Sequence, residues 1–208
     1  MIPAMLLYFL GASAALTVAP GPDNIFVLTQ GIARGRRPAI VTALGMCSGI
    51  SVHTTAAALG ISAVFYSSAL AFSVVKYAGA AYLLYLAFRT LRDRSAVRLA
   101  GVDERPAAAL FKRGFIMNVL NPKVAMFFLA FLPQFVDPNV AHPALQVAFL
   151  GLLFMALGLV TDSLWAVVAG TAGGVLRRSA RYVKIQRYVA GSVYVGLGVA
   201  TALVGAED

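Results

Sequence analysis

Charge is scarce in this chain of 208 residues: Asp, Glu, Lys and Arg make up 12% of it, about half the share found in soluble domains. With 60% of its residues apolar, the chain has too little polar material to cover a water-soluble fold, and it is far too apolar to be disordered. A single cysteine rules out a disulfide framework, and one Cys with two His rules out a zinc finger. No Lys or Arg precedes Arg34, so the basic region that opens a cleavable signal peptide is missing and the apolar start is expected to be a retained span. There is no G-x-x-x-x-G-K-[ST] loop to cradle the phosphates of an ATP-driven pump, and no H-E-x-x-H or G-x-S-x-G hydrolase signature.

What the chain does have is apolar runs, reflected in a mean hydropathy of +0.82. A transmembrane helix needs about 20 such residues, and the runs between basic breaks predict six spans, over 4–32, 39–63, 69–90, 114–135, 144–174 and 186–205. The expected fold class is an all-α integral membrane protein forming a single domain over 1–208. The net charge of +9 is confined to alternate connections: 34–37, 89–113 and 177–187 hold fifteen of the seventeen basic residues, while the connections near 64–68 and 136–143 hold none. This segregation places the basic side in the cytoplasm and both termini outside. The basic loops are expected to touch anionic lipid. Nucleic acid is not an expected partner, because no aromatic residues interleave with the charge.

The chain divides into two halves that align with each other. Repeat one covers 1–91, a cytoplasmic loop 92–113, and repeat two 114–208. Pro20-Gly21-Pro22-Asp23 aligns with Leu120-Asn121-Pro122-Lys123, Gly49 to His53 with Gly158 to Asp162, and Ala78 to Tyr82 with Ala190 to Tyr194. Three spans per half make the second half inverted, an architecture typical of secondary transporters that bind substrate near mid-membrane at the repeat interface.

Helices one and four are expected to break at Pro20-Gly21-Pro22 and Asn121-Pro122, because proline removes an N–H and clashes with the preceding turn. Asp23 lies 11 residues from Arg34 and Lys123 lies 10 from Arg113, so at about 1.5 Å per residue both sit roughly 15 Å deep. Ions at that depth usually face the bundle interior. Either they form a structural Asp23–Lys123 pair, or they bind a zwitterion with its carboxylate at Lys123 and its ammonium at Asp23. In the second case Pro20, Gly21, Pro22, Asn24, Asn121 and Pro122 complete the site, and the ion pair closes it when it is empty.

His53 and Asp162 form a second repeat-related pair, counted roughly 23 Å from the basic side. Intramembrane Asp and His are the usual material of proton relays, although a bond from His53 to a nearby carbonyl would also explain it. Lys76 is expected to snorkel to the interface, Cys47 to pack as a small core residue, and Gly45 and Gly49 to permit close helix packing. No metal or cofactor is expected. Small-residue faces leave room for a homodimer.

The Pro20-Gly21-Pro22-Asp23-Asn24 motif resembles the PGP motif in the first span of the LysE/RhtB amino-acid exporters. The segment from Phe115 to Phe135, with Asn121-Pro122-Lys123, resembles their fourth span, and Lys76 to Tyr85 their third. That family often has Asn after Pro-Gly-Pro, whereas this chain has Asp23, an extra negative charge that bears on substrate or coupling. The resemblance implies efflux of amino acids or related metabolites across a bacterial inner membrane by proton antiport. Cation export, known in the wider superfamily, is the alternative reading, followed by an intramembrane enzyme built on His53 with Ser51 or Ser163.

Overall fold

The computed structural model describes residues 3–19, 21–67, 69–92, 106–137, 140–176 and 180–203. These are helical, with no strand among the described residues. The α-helices are α1 (Pro3–Val18), α2 (Pro22–Arg34), α3 (Arg36–Ser67), α4 (Ala69–Arg92), α5 (Ala107–Val119), α6 (Pro122–Met126), α7 (Pro143–Leu176) and α8 (Ala180–Leu203). A π-helical turn over Phe127–Phe131 and a 3-10 turn over Leu132–Phe135 follow α6. Among the described residues two helices are long and apolar enough to cross a membrane, over Arg36–Gly60 and Pro143–Thr171. Two bent pairs are further candidates: α1 with α2 at 49°, and α5 with the segment from Pro122 to Phe135 at 44°.

Both expected breaks are present as gaps between helices. Pro20 itself lies outside the described residues, but α1 ends at Val18 and α2 starts at Pro22. In the second half α5 ends at Val119 and α6 starts at Pro122. Proline occupies the first turn after each break, where its missing N–H costs nothing and its fixed φ suits a helix start. The connection expected over 92–113 is shorter than the spacing of charges suggests. Residues 93–105 lie outside the described residues, while Pro106, in extended conformation, starts α5 on a run of three alanines. Lys112 and Arg113 are therefore helical rather than in a loop.

The π and 3-10 turns were not anticipated from the apolar pattern, and Pro133 accounts for them. It has no N–H to offer the carbonyl four residues back, so the preceding turn widens and the following one tightens. Gln134 Nε2 donates to Ala130 O at 2.7 Å, supplying from a side chain a bond the distorted backbone lacks.

Helix α3 lies between α5 and α7, α2 packs on α7 and α3, and α4 pairs with α8 and meets the π turn. The first of these contacts are backbone to backbone. A Cβ on Gly45 would lie 2.1 Å from Phe111 O, one on Gly114 2.4 Å from Thr42 O, and one on Gly49 2.9 Å from Phe115 O. The expected close packing at Gly45 and Gly49 is thus the α3–α5 contact. Gly31 of α2 abuts Ala169 and Gly170 of α7 in the same manner. Gly35, at φ +85°, joins α2 to α3 in a left-handed conformation that only glycine adopts readily.

Apolar side chains form two clusters. One is aromatic, built on Phe9, Phe127, Phe128, Phe131, Phe135 and Phe154, with Phe127 stacked on Phe154 at 4.7 Å. The other is smaller, with Val27, Ala39, Ala43, Met46 and Ala166 at its centre and Phe26, Met117 and Trp165 against it. Cys47 is buried, as expected of a small core residue. Lys76 is buried too, its Nζ 4.4 Å from the centroid of the Tyr77 ring.

Candidate functional site

A polar cluster joins the two helix breaks. At a break the last carbonyls of the first helix and the first N–H groups of the second lose their intrahelical partners, and in an apolar surrounding each must find another. The Lys123 ammonium supplies the partner for the first break. Its Nζ donates to Ala19 O at 3.3 Å and Leu16 O at 3.4 Å, the exposed carbonyl end of α1. It also donates to Asn24 Oδ1 at 3.4 Å and lies 3.3 Å from Asp23 Oδ1. The two residues that the sequence placed at equal depth on opposite repeats are therefore an ion pair, and both are buried, Lys123 at 3% and Asp23 at 7% exposure.

Asn24 links the members of the cluster. Its Oδ1 accepts from Gly21 N at 3.2 Å as well as from Lys123. Its Nδ2 donates to Thr17 O at 3.0 Å and to Asp162 Oδ1 at 3.4 Å. Acceptors on one side and donors on the other fix the orientation of the amide. Gly21 leaves room for the pair: a Cβ there would lie 2.8 Å from Asp23 Oδ1 and 3.0 Å from Lys123 Nζ.

At the second break Asn121 caps α6, its Oδ1 accepting from Lys123 N at 2.9 Å. Its Nδ2 is buried and has no hydrogen-bond partner among the described residues. Pro122 occupies the first position of α6 and carries no contact in the cluster beyond shaping that start. Asp23 Oδ1 likewise makes no hydrogen bond besides its charge contact with Lys123. Asn118 Oδ1, beside the second break, is a further buried acceptor of this kind, and such groups are rare enough to call for an explanation.

The members of the second repeat-related pair have different partners. Asp162 reaches the cluster through Asn24. Next to it, the Thr161 hydroxyl lies 3.1 Å from that of Thr17 and also contacts Leu157 O. Helix α7 has 34 residues, about 51 Å at 1.5 Å each, so it must tilt or project beyond a hydrocarbon core of about 30 Å. His53 lies apart. Its Nε2 donates to Asn118 O at 3.0 Å and its ring packs 5.9 Å from that of Phe128.

Sequence reasoning missed Leu16, Ala19, Thr17 and Asn118. The first two act through backbone carbonyls, which residue type does not reveal. Thr17 and Asn118 did carry a signal, being polar residues in apolar runs within a turn of each break. Among the described residues no three His, Cys, Asp or Glu side chains gather where a metal ion could be held.

The family model described as LysE type translocator matches residues 14–205 of this sequence. A homoserine/homoserine lactone efflux protein of Salmonella typhimurium is 32% identical over 162 residues, covering 77% of this chain and 78% of its own length. A leucine efflux protein of Klebsiella pneumoniae is 29% identical, covering 95% and 93%. An uncharacterized membrane protein of Vibrio cholerae is 29% identical, covering 94% and 95%. No solved structure matches the chain significantly. Its apolar helices are those of a multi-pass membrane protein, and with a family match spanning nearly its whole length, this chain belongs to the LysE type translocators.

Proposed function

We propose that the protein is a secondary active exporter that carries amino acids or related small metabolites out of the cytoplasm by proton antiport. In this reading six spans form two inverted three-helix repeats in a bacterial inner membrane, with both termini outside. The observation that carries it is the buried cluster in which Lys123 of one repeat meets Asp23 and the broken end of α1 in the other. Opposite charges and open helix ends at one point suit a zwitterion, and a continuous-helix bundle would have no use for them.

Asp23, Asn24, Asn121 and Lys123 are the polar substrate contacts in this proposal, and the Pro20–Pro22 and Pro122 breaks open the helices around them. Asp162, one hydrogen bond from Asn24, is the proton carrier. His53 is the second candidate for that role; its bond to a backbone carbonyl gives it a structural task as well. The relatives' names bear on the substrate: homoserine, its lactone and leucine share a primary ammonium group, whereas the lactone has no free carboxylate. The amine is therefore the common handle. The aromatic cluster includes Ala19 and Val124, and the second cluster includes Phe26 and Val27 of α2, so apolar packing borders the ion pair, which suits an occluded resting state.

Cells overexpressing the protein and preloaded with a mixture of amino acids test this reading. Mass spectrometry of the medium, with and without a protonophore, should find selective release that the protonophore suppresses. Release of no amino acid, with the protein present in the membrane, would refute amino-acid export and turn attention to cations.

A further inference from the structure

The ammonium of Lys123 occupies a site made almost entirely by the other repeat. Its three N–H donors have three oxygen acceptors, Leu16 O, Ala19 O and Asn24 Oδ1, and Asp23 Oδ1 lies alongside as counter-charge. The α1 carbonyls also form the negative end of a helix dipole, which favours a cation. None of the four contacts is short. They measure 3.3–3.4 Å, about half an ångström longer than a charge-assisted hydrogen bond of 2.7–2.9 Å. The lysine fits these acceptors in number without being drawn tightly onto them, and Asp23 Oδ1 still lacks a hydrogen bond.

We infer that this seat is a binding site for primary ammonium groups and that Lys123 is its tethered occupant, displaced when the amine of a substrate enters. The inference rests on the reading of the chain as an exporter of amine-bearing metabolites and specifies how that site recognises them. The exchange is balanced. One R–NH3+ replaces another, so the number of N–H donors and the net charge of the seat stay constant while Asp23 keeps a counter-ion in an apolar surrounding, where an unpaired carboxylate is costly. The displaced Lys123 ammonium is then free for the carboxylate of a substrate that has one, and Asn121 Nδ2, two residues away in sequence, is a buried donor not yet used. An empty carrier returns with Lys123 in place, so the seat is never vacant. A quaternary amine, without N–H, has nothing to offer the three oxygens.

The test uses full-length Lys123→Ala purified in detergent, with thermal unfolding as the readout. Propylammonium has the atoms that the substitution removes beyond Cβ. At a hundredfold excess over its dissociation constant it should raise the melting temperature by about 5 °C or more. Equal concentrations of propan-1-ol and tetramethylammonium chloride should not, and the wild type, in which propylammonium has to displace Lys123, should respond to it less. No rise with propylammonium, or an equal rise with either control, overturns the proposal. Lys123→Met is the second variant. It keeps the packing and leaves a vacancy the size of an ammonium ion, so ammonium chloride should stabilise it where tetramethylammonium chloride does not. If both variants aggregate even with amine present, Lys123 is a structural clamp and the inference fails. In wild-type cells that release an amino acid, its methyl ester should also be released and its N-trimethyl form retained; release of the N-trimethyl form would also overturn the inference. Should no amino acid be released at all, the transport reading falls, while the thermal measurements still decide the seat.

Discussion

Replacing Gly21 by alanine adds one methyl group at the edge of the ion pair and alters little else. The backbone there is extended, at φ −134° and ψ −176°, so alanine adopts it without strain. The new Cβ would lie 2.8 Å from Asp23 Oδ1, 3.0 Å from Lys123 Nζ and 3.4 Å from Lys123 Cε. Relief requires a shift of about half an ångström, and the flexible lysine head yields first. Its hydrogen bonds to Leu16 O and Asn24 Oδ1 already measure 3.4 Å, so a shift of that size breaks at least one of them. Loss of a hydrogen bond to a charged group costs roughly 1.5–3 kcal/mol. For a chain of this size that is a fall of roughly 2–4 °C in melting temperature per kcal/mol, so the variant should melt about 3–12 °C below the wild type. Gly11→Ala and Gly196→Ala are the controls, since a Cβ at either position meets nothing within 4 Å. Both lie inside helices, where alanine is favoured by roughly 0.5–1 kcal/mol, so neither should lower the melting temperature. The assay is thermal unfolding in detergent, paired with amino-acid release from cells. A Gly21→Ala protein that melts within about 1 °C of the wild type and releases substrate normally would refute the geometry of the pair.

Three further results are expected. Asp23→Asn and Lys123→Met should each abolish release while the protein still reaches the membrane, and the double variant should be more stable than Lys123→Met alone by about 1–3 kcal/mol, because it no longer buries an unpaired carboxylate; chemical unfolding of the three checks this. Gly45→Ala and Gly114→Ala should each lose about 1–3 kcal/mol or more, since the obstructing atoms are the backbone oxygens of Phe111 and Thr42; Gly158→Ala, which meets only Ile50 Cδ1 at 3.3 Å, should lose far less, and thermal unfolding of the three in detergent checks this. Asp162→Asn should flatten the dependence of release on external pH, whereas His53→Gln, which can still donate to Asn118 O, should retain it; an unchanged profile in Asp162→Asn would remove that residue as the proton carrier.

The sequence was most legible where a residue type has few uses. Proline and glycine inside apolar runs marked both helix interruptions, and isolated charges at matched positions identified Asp23 and Lys123 as partners. Glycines spaced four apart pointed to a close helix contact, though not to α5 as the neighbour. Linear spacing was least informative for Asp162, because counting along one helix does not show that Asn24 of another lies within hydrogen-bond reach. The Leu16 and Ala19 carbonyls could not be read from the sequence at all, since a backbone acceptor is the same for every residue and only its loss of a partner makes it available. The π turn was obscured in another way: Pro133 was visible, but a helix can answer a missing N–H by kinking, widening or stopping, and local packing decides which.

The pairing across the two breaks also sets an order for biogenesis. Asp23 and the open end of α1 are synthesised 100 residues before Lys123. Throughout that interval the first broken helix has a carboxylate and loose carbonyls with no cation to meet them, and it cannot settle into lipid in its final form. The nascent first half must therefore wait in a wetter place, at the insertion machinery or at the membrane surface, until the second broken helix arrives. A chain ended after residue 91 should be cleared by quality control, and one extended past Lys123 should begin to escape it.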